Sequence, residues 1–404
     1  MNNQQVLVAG GGIGGLAAAL ALSHAGQRVT VLERAAEFAD VGAGIQLGPN
    51  AIKVLAHWGL KNAVLQQACL PQAIAVRDTA TGRSLSRMLL GQAVQERYGE
   101  VYACVHRADL HAALLQAARQ QTGVQMHCNE QVLRVSQRGA STNHTPNAPE
   151  PSVQVQSTQH TWHADALVAA DGVASSVRQA VWADGAPRAT GHAAYRALLP
   201  VVSLPPNVRT HALASEVGVW WGRDVHVVHY PVRGGEFINL VVLSEQAAAK
   251  AVPGWATVAN SQDVERSVQA ACPPLRALLA CAPAWHSWHL YDRLATRSWV
   301  KGHTALLGDA AHPMLPYLAQ GAAMALEDAA ALASSAAAHS DWPSALQHYQ
   351  RLRQARCERV VATAKRNGRI FHLAPPWSTA RDAVLALKGT QVVGLPWLYG
   401  ATVL

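Results

Sequence analysis

Val6-Leu7-Val8-Ala9-Gly10-Gly11-Gly12-Ile13-Gly14-Gly15 is the stretch that decides the fold. Its apolar opening makes a short buried strand, and glycines 10, 12 and 15 follow with G-x-G-x-x-G spacing. A helix-forming run over 16–24 starts at once, and a second strand over 28–32 ends in Glu33. Gly10 permits the tight turn. Gly12 lets backbone N–H groups approach a pyrophosphate with no Cβ in the way. Gly15 lets the helix lie close on the strand, and the helix N-terminus meets the negative charge. Glu33, about 20 residues on, can accept hydrogen bonds from a ribose diol. The order strand, glycines, helix, strand, acid makes the set specific, where the glycine spacing alone is weak.

The chain has 404 residues, enough to bury a large core in two domains. Half is hydrophobic and 14% is charged, a globular rather than disordered composition. The net charge is +8, yet Lys and Arg are scattered, so no basic run points to nucleic acid. An arginine-weighted composition explains the excess; attraction of cofactor phosphates and an acidic substrate is the functional alternative. The six cysteines show no C-x-x-C spacing, so neither a metal site nor a disulfide framework is expected. The N-terminus lacks the basic start of a signal peptide, and Lys388, Gly389, Gly394 and Pro396 interrupt the apolar stretch 383–404. A cytoplasmic protein with no membrane span is the expectation.

Along the chain, the glycine-rich loop 40–50 leads through Pro49 into a helix over 50–57. Its Gly44-Ile45-Gln46 segment either passes a cofactor's reactive ring or merely connects. Alternating runs 74–77 and 84–89 read as a hairpin around Thr81-Gly82. A strand over 102–106 precedes an amphipathic helix starting at Arg107, placed to bind a phosphate or to cap a carboxylate. Strands are expected over 124–127, 131–135, 153–157 and 161–163, with a solvated tip over 138–152. Residues 166–170 form a buried strand running into Asp171-Gly172 and Arg178. From 186 to 289 the alternation changes to that of an antiparallel sheet, with a helical stretch over 263–279 broken near Pro273-Pro274. Buried-strand character returns over 299–307 and runs into Gly308-Asp309. A helix through Glu327-Asp328, a long helix from Pro343 at its first position to about Arg369, and an irregular tail complete the chain.

The glycine turn, the Asp171-Gly172 turn and the Gly308-Asp309 turn each follow an apolar strand. Strand ends of an open parallel sheet converge on one crevice, so these distant residues can line one ligand. With Gly308-Asp309-Ala310-Ala311-His312-Pro313 and Gln320-Gly321 as its most specific part, the chain resembles the flavoprotein aromatic hydroxylases over nearly its whole length. These are single-component FAD monooxygenases of the p-hydroxybenzoate hydroxylase type. The nearest group holds the 3-hydroxybenzoate 6-hydroxylases, salicylate hydroxylases and 6-hydroxynicotinate 3-monooxygenases.

The resemblance implies an α/β fold. A Rossmann-like FAD-binding domain (1–72, 100–185 and 290–340) is interleaved with an antiparallel-sheet substrate domain (73–99 and 186–289), followed by a C-terminal helical segment (341–404). It implies that Gly10, Gly12, Gly14 and Gly15 hold the FAD pyrophosphate and that Glu33, with Arg34, binds the adenosine ribose. Arg107 and Asp309 would face the phosphate and ribityl groups. Gln46 and the backbone of Gly321 and Ala322 would flank the flavin ring, and Val132 completes the set. Asp171 with Arg178 resembles a second fingerprint touching both FAD and a transient NADH or NADPH. No metal is implied.

The implied reaction adds an oxygen atom from O2, by way of a flavin C4a-hydroperoxide, to a hydroxylated aromatic acid, with water kept out. A phenol reacts faster as phenolate, so a base should reach its hydroxyl. On residues 225–231 alternation puts His226, Val228 and Tyr230 on one face and His229 on the other. A His and a Tyr of this spacing lie at the substrate in the 3-hydroxybenzoate and hydroxynicotinate enzymes, so the resemblance implies His226 as proton acceptor or hydroxyl partner and Tyr230 as the group that binds the carboxylate or positions the ring. Pro316, Tyr317 and Gln320 belong to the loop that would close the flavin face. Tyr317 would donate to the phenol or simply pack, and His312 reads as a structural partner of that turn. Arg196 would neutralise a substrate carboxylate or form a surface ion pair. The 3-hydroxybenzoate enzymes of this group place a glutamine where Pro316 stands. The salicylate and hydroxynicotinate enzymes keep the proline but follow it with histidine, where this chain has Tyr317. The leading expectation is 3-hydroxybenzoate 6-hydroxylation to gentisate, with salicylate 1-hydroxylation and 6-hydroxynicotinate 3-hydroxylation as alternatives. A flavin-free NAD(P)-dependent dehydrogenase is the competing class, and the late Gly308-Asp309 segment argues against it. The oligomeric state stays open, a homodimer among the candidates.

Overall fold

Gln5–Ala9, Arg28–Leu32, Ala166–Ala169 and Thr304–Leu306 are mostly apolar and buried, the pattern of parallel strands covered on both faces. The computed structural model describes residues 3–39, 43–137, 152–212, 215–245, 257–294, 296–388 and 395–402. In it these strands form the centre of a six-stranded sheet in the order Val300–Lys301, Thr304–Leu306, Ala166–Ala169, Gln5–Ala9, Arg28–Leu32, Val124–His127. All pairs are parallel except the Val300–Lys301 edge. Ala9 lies beside Leu32 and Ala169, and Ala169 beside Leu306. The chain therefore leaves the sheet at one edge through Gly10, Glu33, Ala170 and Leu307. That register brings the three turns together.

Helix Ile13–His24 starts at Ile13, earlier than residue 16, because Gly12 takes the N-cap and Gly14 and Gly15 belong to its first turn. Its small apolar residues are buried all round, against the sheet and against Gly321–Ala338. The expected strand over 299–307 is instead a hairpin, Val300–Lys301 and Thr304–Leu306, because Gly302 turns the chain at φ +56°. The long helix is Trp342–Phe371, with Asp341 accepting from Ser344 N at 2.9 Å, so Pro343 is its second residue. Beyond it the tail is not irregular: Trp377–Lys388 and Pro396–Tyr399 are helical. The tip expected over 138–152 lies, but for Ser152, outside the described residues.

An eight-stranded sheet stands over the sheet edge, in the order Thr257–Ala259, Trp285–Asp292, Arg188–Pro200, Phe237–Glu245, Val225–Val232, Glu216–Gly222, Ala73–Asp78, Ser84–Leu89. It is not purely antiparallel, since Glu216–Gly222 pairs parallel with Ala73–Asp78. The excursion carrying Ala73–Asp78 follows helix Lys61–Leu65 and is set by Gln72 N donating to Ser215 O at 2.7 Å. Helices Ser261–Ser267 and Pro273–Ala280 contribute Val264, Leu275 and Leu278 to an apolar cluster with Trp220, Val227 and Leu240 of the sheet. Gly44–Leu47 is a strand rather than a loop, paired with Ala103–His106. Gly44 N donates to Asn239 Oδ1 at 2.7 Å, which ties this strand to the large sheet.

Candidate active site

The turns and the large sheet enclose one cavity of about 590 Å³, within the range of cofactor and ligand sites. Gly10, Gly12, Gly14, Glu33, Arg34, Gln46, Arg107, Val132, Asp171, Asp309, Gly321 and Ala322 all line it. From the sheet and the loop over 312–320 come Arg196, His226, Tyr230, Pro316 and Gln320. Three of the expected residues do not line it: Gly15, Tyr317 and Arg178. Gly15 faces the Gly10 carbonyl inside the turn. Tyr317 is buried, its ring against Gly368 and its hydroxyl bonded to His192 Nδ1 at 2.8 Å.

At the dinucleotide end the strand termini hold their groups by short local bonds. Gly11 N donates to Glu33 Oε2 at 2.6 Å and Ala35 N to Oε1 at 2.8 Å, so the carboxylate is pinned beside the glycine turn. Asp171 Oδ2 accepts from Val177 N at 3.1 Å and from the Ser176 hydroxyl at 3.3 Å. Burial pushes the Asp171 carboxyl up, although Ser175 and backbone donors oppose it. Arg178 does not line the cavity. It is fully buried and donates to Ala310 O at 2.8 Å, Leu294 O at 2.9 Å and Asp184 at 2.8 Å. It clamps the Asp171 turn onto the Gly308 turn. Asp309 is likewise raised by burial, with His312 and Arg107 pulling the other way.

Behind Gly308-Asp309 stands a buried polar network that sequence reading missed except for His312. Asp328 accepts from His312 Nε2 at 2.6 Å, Gly308 N at 3.1 Å and Arg353 Nε at 2.8 Å. Arg353 also pairs with Glu327 at 2.7 Å, and Arg356 pairs with the same carboxylate. His312 faces this network, as its structural reading expects.

At the far end Val225–Val232 presents His226, Val228 and Tyr230 to the cavity, as strict alternation requires. His226 is 2% exposed, and burial, then His372 and His192, hold its imidazole well below the usual histidine range. It is therefore neutral at pH 7, with one ring nitrogen left as a hydrogen-bond acceptor. Burial raises the Tyr230 phenol far above its ordinary value, so it stays protonated as a donor. The Arg196 guanidinium lies over the Trp288 ring, 5.0 Å from its centroid, and Arg196 lines the cavity. The Gly321–Ala338 helix points its first turn, Gly321 and Ala322, at the same space. Its N-cap Gln320 is fixed by Asn50 Nδ2 at 3.0 Å.

The residues fit a flavin dinucleotide. No atom lies within 4 Å of a Cβ placed on Gly12 or Gly321, so both backbones are open to a ligand. Asp171 lines the cavity, and its Oδ1 is buried with no hydrogen-bond partner among the described residues. No helix among the described residues is long and apolar enough to cross a membrane.

Comparison with known proteins agrees with this geometry. The family described as "FAD binding domain" matches residues 3–364. A 3-hydroxybenzoate 6-hydroxylase of Polaromonas naphthalenivorans (strain CJ2) is 37% identical over 98% of this chain and 95% of its own. Another, from Klebsiella oxytoca, is 34% identical over 98% and 96%. The crystal structure of CtdE with FAD and a substrate superposes with a TM-score of 0.85 over 99% of this chain and 96% of that one, at 22% identity. The chain belongs to the FAD-binding flavoprotein aromatic hydroxylases, single-component FAD-dependent monooxygenases that draw their electrons from NAD(P)H.

Proposed function

We propose that this cavity hydroxylates 3-hydroxybenzoate at C6, giving gentisate. One observation carries the reading: a single strand sets His226 and Tyr230 against the same cavity as Gly12, Asp171 and Asp309. The relatives at 34–37% identity, named 3-hydroxybenzoate 6-hydroxylase, support the substrate. Gly10, Gly12, Gly14 and the first turn of Ile13–His24 hold the pyrophosphate, with Gly15 shaping that turn. Glu33 and Arg34 bind the adenosine side. Arg107, Val132, Asp171 and Asp309 line the phosphate and ribityl path. Gln46, Gly321 and Ala322 flank the ring. FAD held there supplies, once reduced, an oxygen atom from O2.

The substrate chemistry follows from the sheet. C6 of 3-hydroxybenzoate is para to the hydroxyl, so removing the phenolic proton raises electron density at the carbon to be attacked. His226, neutral and buried, accepts that proton. Tyr230 donates a hydrogen bond that orients the acid, and Arg196 balances its carboxylate. Pro316 and Gln320 close the flavin face, and Tyr317 packs behind them. Pro316 favours a second reading, salicylate or 6-hydroxynicotinate, because those relatives keep a proline there. Product identification over the three acids, with flavin spectra alongside, tests the choice. Gentisate from 3-hydroxybenzoate is expected; a decarboxylated product from salicylate as the fastest reaction overturns it. A homodimer in the cytoplasm is the accompanying reading, which the six unbridged cysteines fit and a sizing column checks.

His226→Ala should stay yellow and still consume NAD(P)H with substrate present. Loss of a general base costs about 100-fold or more in rate, so hydroxylation should fall by that order while hydrogen peroxide appears in its place. Product and peroxide assays read the two fates, and unchanged coupling removes His226 from the chemistry.

A further inference from the structure

His226 is the first of three polar groups in series. Its Nδ1 lies 3.0 Å from His372 Nε2, and His372 Nδ1 lies 3.0 Å from Glu245 Oε1. His226 and His372 are 2% and 5% exposed, whereas the Glu245 side chain is 46% exposed. The series starts at the substrate cavity and ends in water. We propose that His226, His372 and Glu245 form a relay carrying the substrate's phenolic proton out of the cavity. The proposal rests on the reading that a phenol hydroxyl meets His226.

The order of the bonds fixes the direction. An ionised carboxylate only accepts, so Glu245 requires the hydrogen of His372 on Nδ1. His372 Nε2 is then an acceptor, which requires the hydrogen of His226 on Nδ1. His226 Nε2, the nitrogen His372 leaves free, is thereby an acceptor for the phenol. In the transfer the phenol O–H bond breaks as an N–H bond forms at His226 Nε2. The Nδ1 proton of His226 passes to His372 Nε2, and the Nδ1 proton of His372 passes to Glu245, which releases it to water. No electrons change hands, and the reverse path protonates the product.

The surroundings keep the histidines neutral between transfers. His192 faces both rings, its Nδ1 held by the Tyr317 hydroxyl at 2.8 Å. The Tyr317 ring lies 4.9 Å from His226 and 5.5 Å from His372, and Phe371 covers His226. Asp224 and Glu245 are the acids that face His372. Burial lowers His372 most, and Glu245 opposes it. His372 is the C-cap of Trp342–Phe371, so the C-terminal helix completes the site. In these terms His372 and Glu245 are positioning residues acting through His226.

The test uses the holoenzyme and the phenol that the wild type hydroxylates fastest among the three acids. A substrate other than 3-hydroxybenzoate then overturns the substrate assignment and leaves the relay standing. Proton release on phenol binding is followed with a pH indicator in weak buffer, beside the Kd for the phenol, flavin content and the pH profile of coupled turnover. Glu245→Gln and His372→Ala should keep flavin and bind the phenol within about twofold, yet release protons about tenfold more slowly or worse. Glu245→Asp should retain most of the rate, and imidazole should restore His372→Ala. Unchanged release in both variants overturns the relay. So does a loss in His372→Ala that imidazole does not restore and that falls in step with flavin content. Glu245 is half-exposed and removable without disturbing the core, so Glu245→Gln decides the matter if His372→Ala does not fold.

Discussion

Gly15→Ala is expected to yield a protein that no longer holds FAD. A Cβ at position 15 would stand 1.8 Å from Gly10 O and 2.9 Å from Gly10 C. Those are backbone atoms and cannot swing aside. Gly10 is held at φ +104° with its N–H on Leu32 O at 2.8 Å, so moving it means moving the strand end that starts the cradle. Overpacking commonly costs about 1–3 kcal/mol, and a clash with fixed backbone belongs at or above the top of that range. Gly12→Ala makes the contrast. Its Cβ meets nothing within 4 Å, so the fold and melting temperature should be kept while FAD binding weakens. On the proposed reading, one glycine serves helix against strand and the other ligand against backbone. Calorimetry and flavin absorbance on the two variants separate these needs. A yellow Gly15→Ala protein melting with the wild type would contradict the geometry.

The same contrast shows what a sequence can disclose. The period of two in Val225–Val232 was enough to assign His226 and Tyr230 to one face, because strand alternation is a local rule. The convergence of Gly10, Asp171 and Asp309 was legible because parallel strands in register must end together. Arg178 was legible as part of a fingerprint but not as a clamp, since its partners Ala310 and Leu294 lie more than a hundred residues away. His372 and Glu245 had no local signal: one ends a helix, the other ends a strand, and only packing joins them. Tyr317 sits in a loop without periodicity, so nothing in the sequence chose between the cavity and His192. The parallel pairing of Ala73–Asp78 escaped for a related reason, because the order of strands across a sheet is a matter of long-range contact.

Arg353→Met is expected to destabilise the whole protein by about 3–5 kcal/mol, the usual cost of removing one partner from a buried ion pair. Arg353 is fully buried between Asp328 at 2.8 Å and Glu327 at 2.7 Å, so the variant leaves two carboxylates short of a cation. Glu327 keeps Arg356, but Asp328 keeps only His312 as its charged partner among the described residues. Burial alone would raise the Asp328 carboxyl, yet His312 and Arg353 outweigh it and hold it well below the carboxylate range. A depressed acid stabilises the fold above its unfolded value, about 4, and that contribution is lost as pH falls through the folded value. His312 runs the other way. Burial would lower it, but Cys357 and Asp328 hold it well above the histidine range. Its contribution is full below about 6.5 and is lost only as pH climbs through the raised value. The pair is thus strongest between those limits, and the gap between wild type and Arg353→Met should be widest near neutral pH. It should narrow as acid protonates Asp328 in both. Denaturant midpoints across that range measure the gap. Because Asp328 also accepts from Gly308 N, the same variant should shed FAD before it unfolds, the Gly308-Asp309 turn having lost its backing. A midpoint equal to wild type with full flavin content would show that this network supports neither the fold nor the cradle.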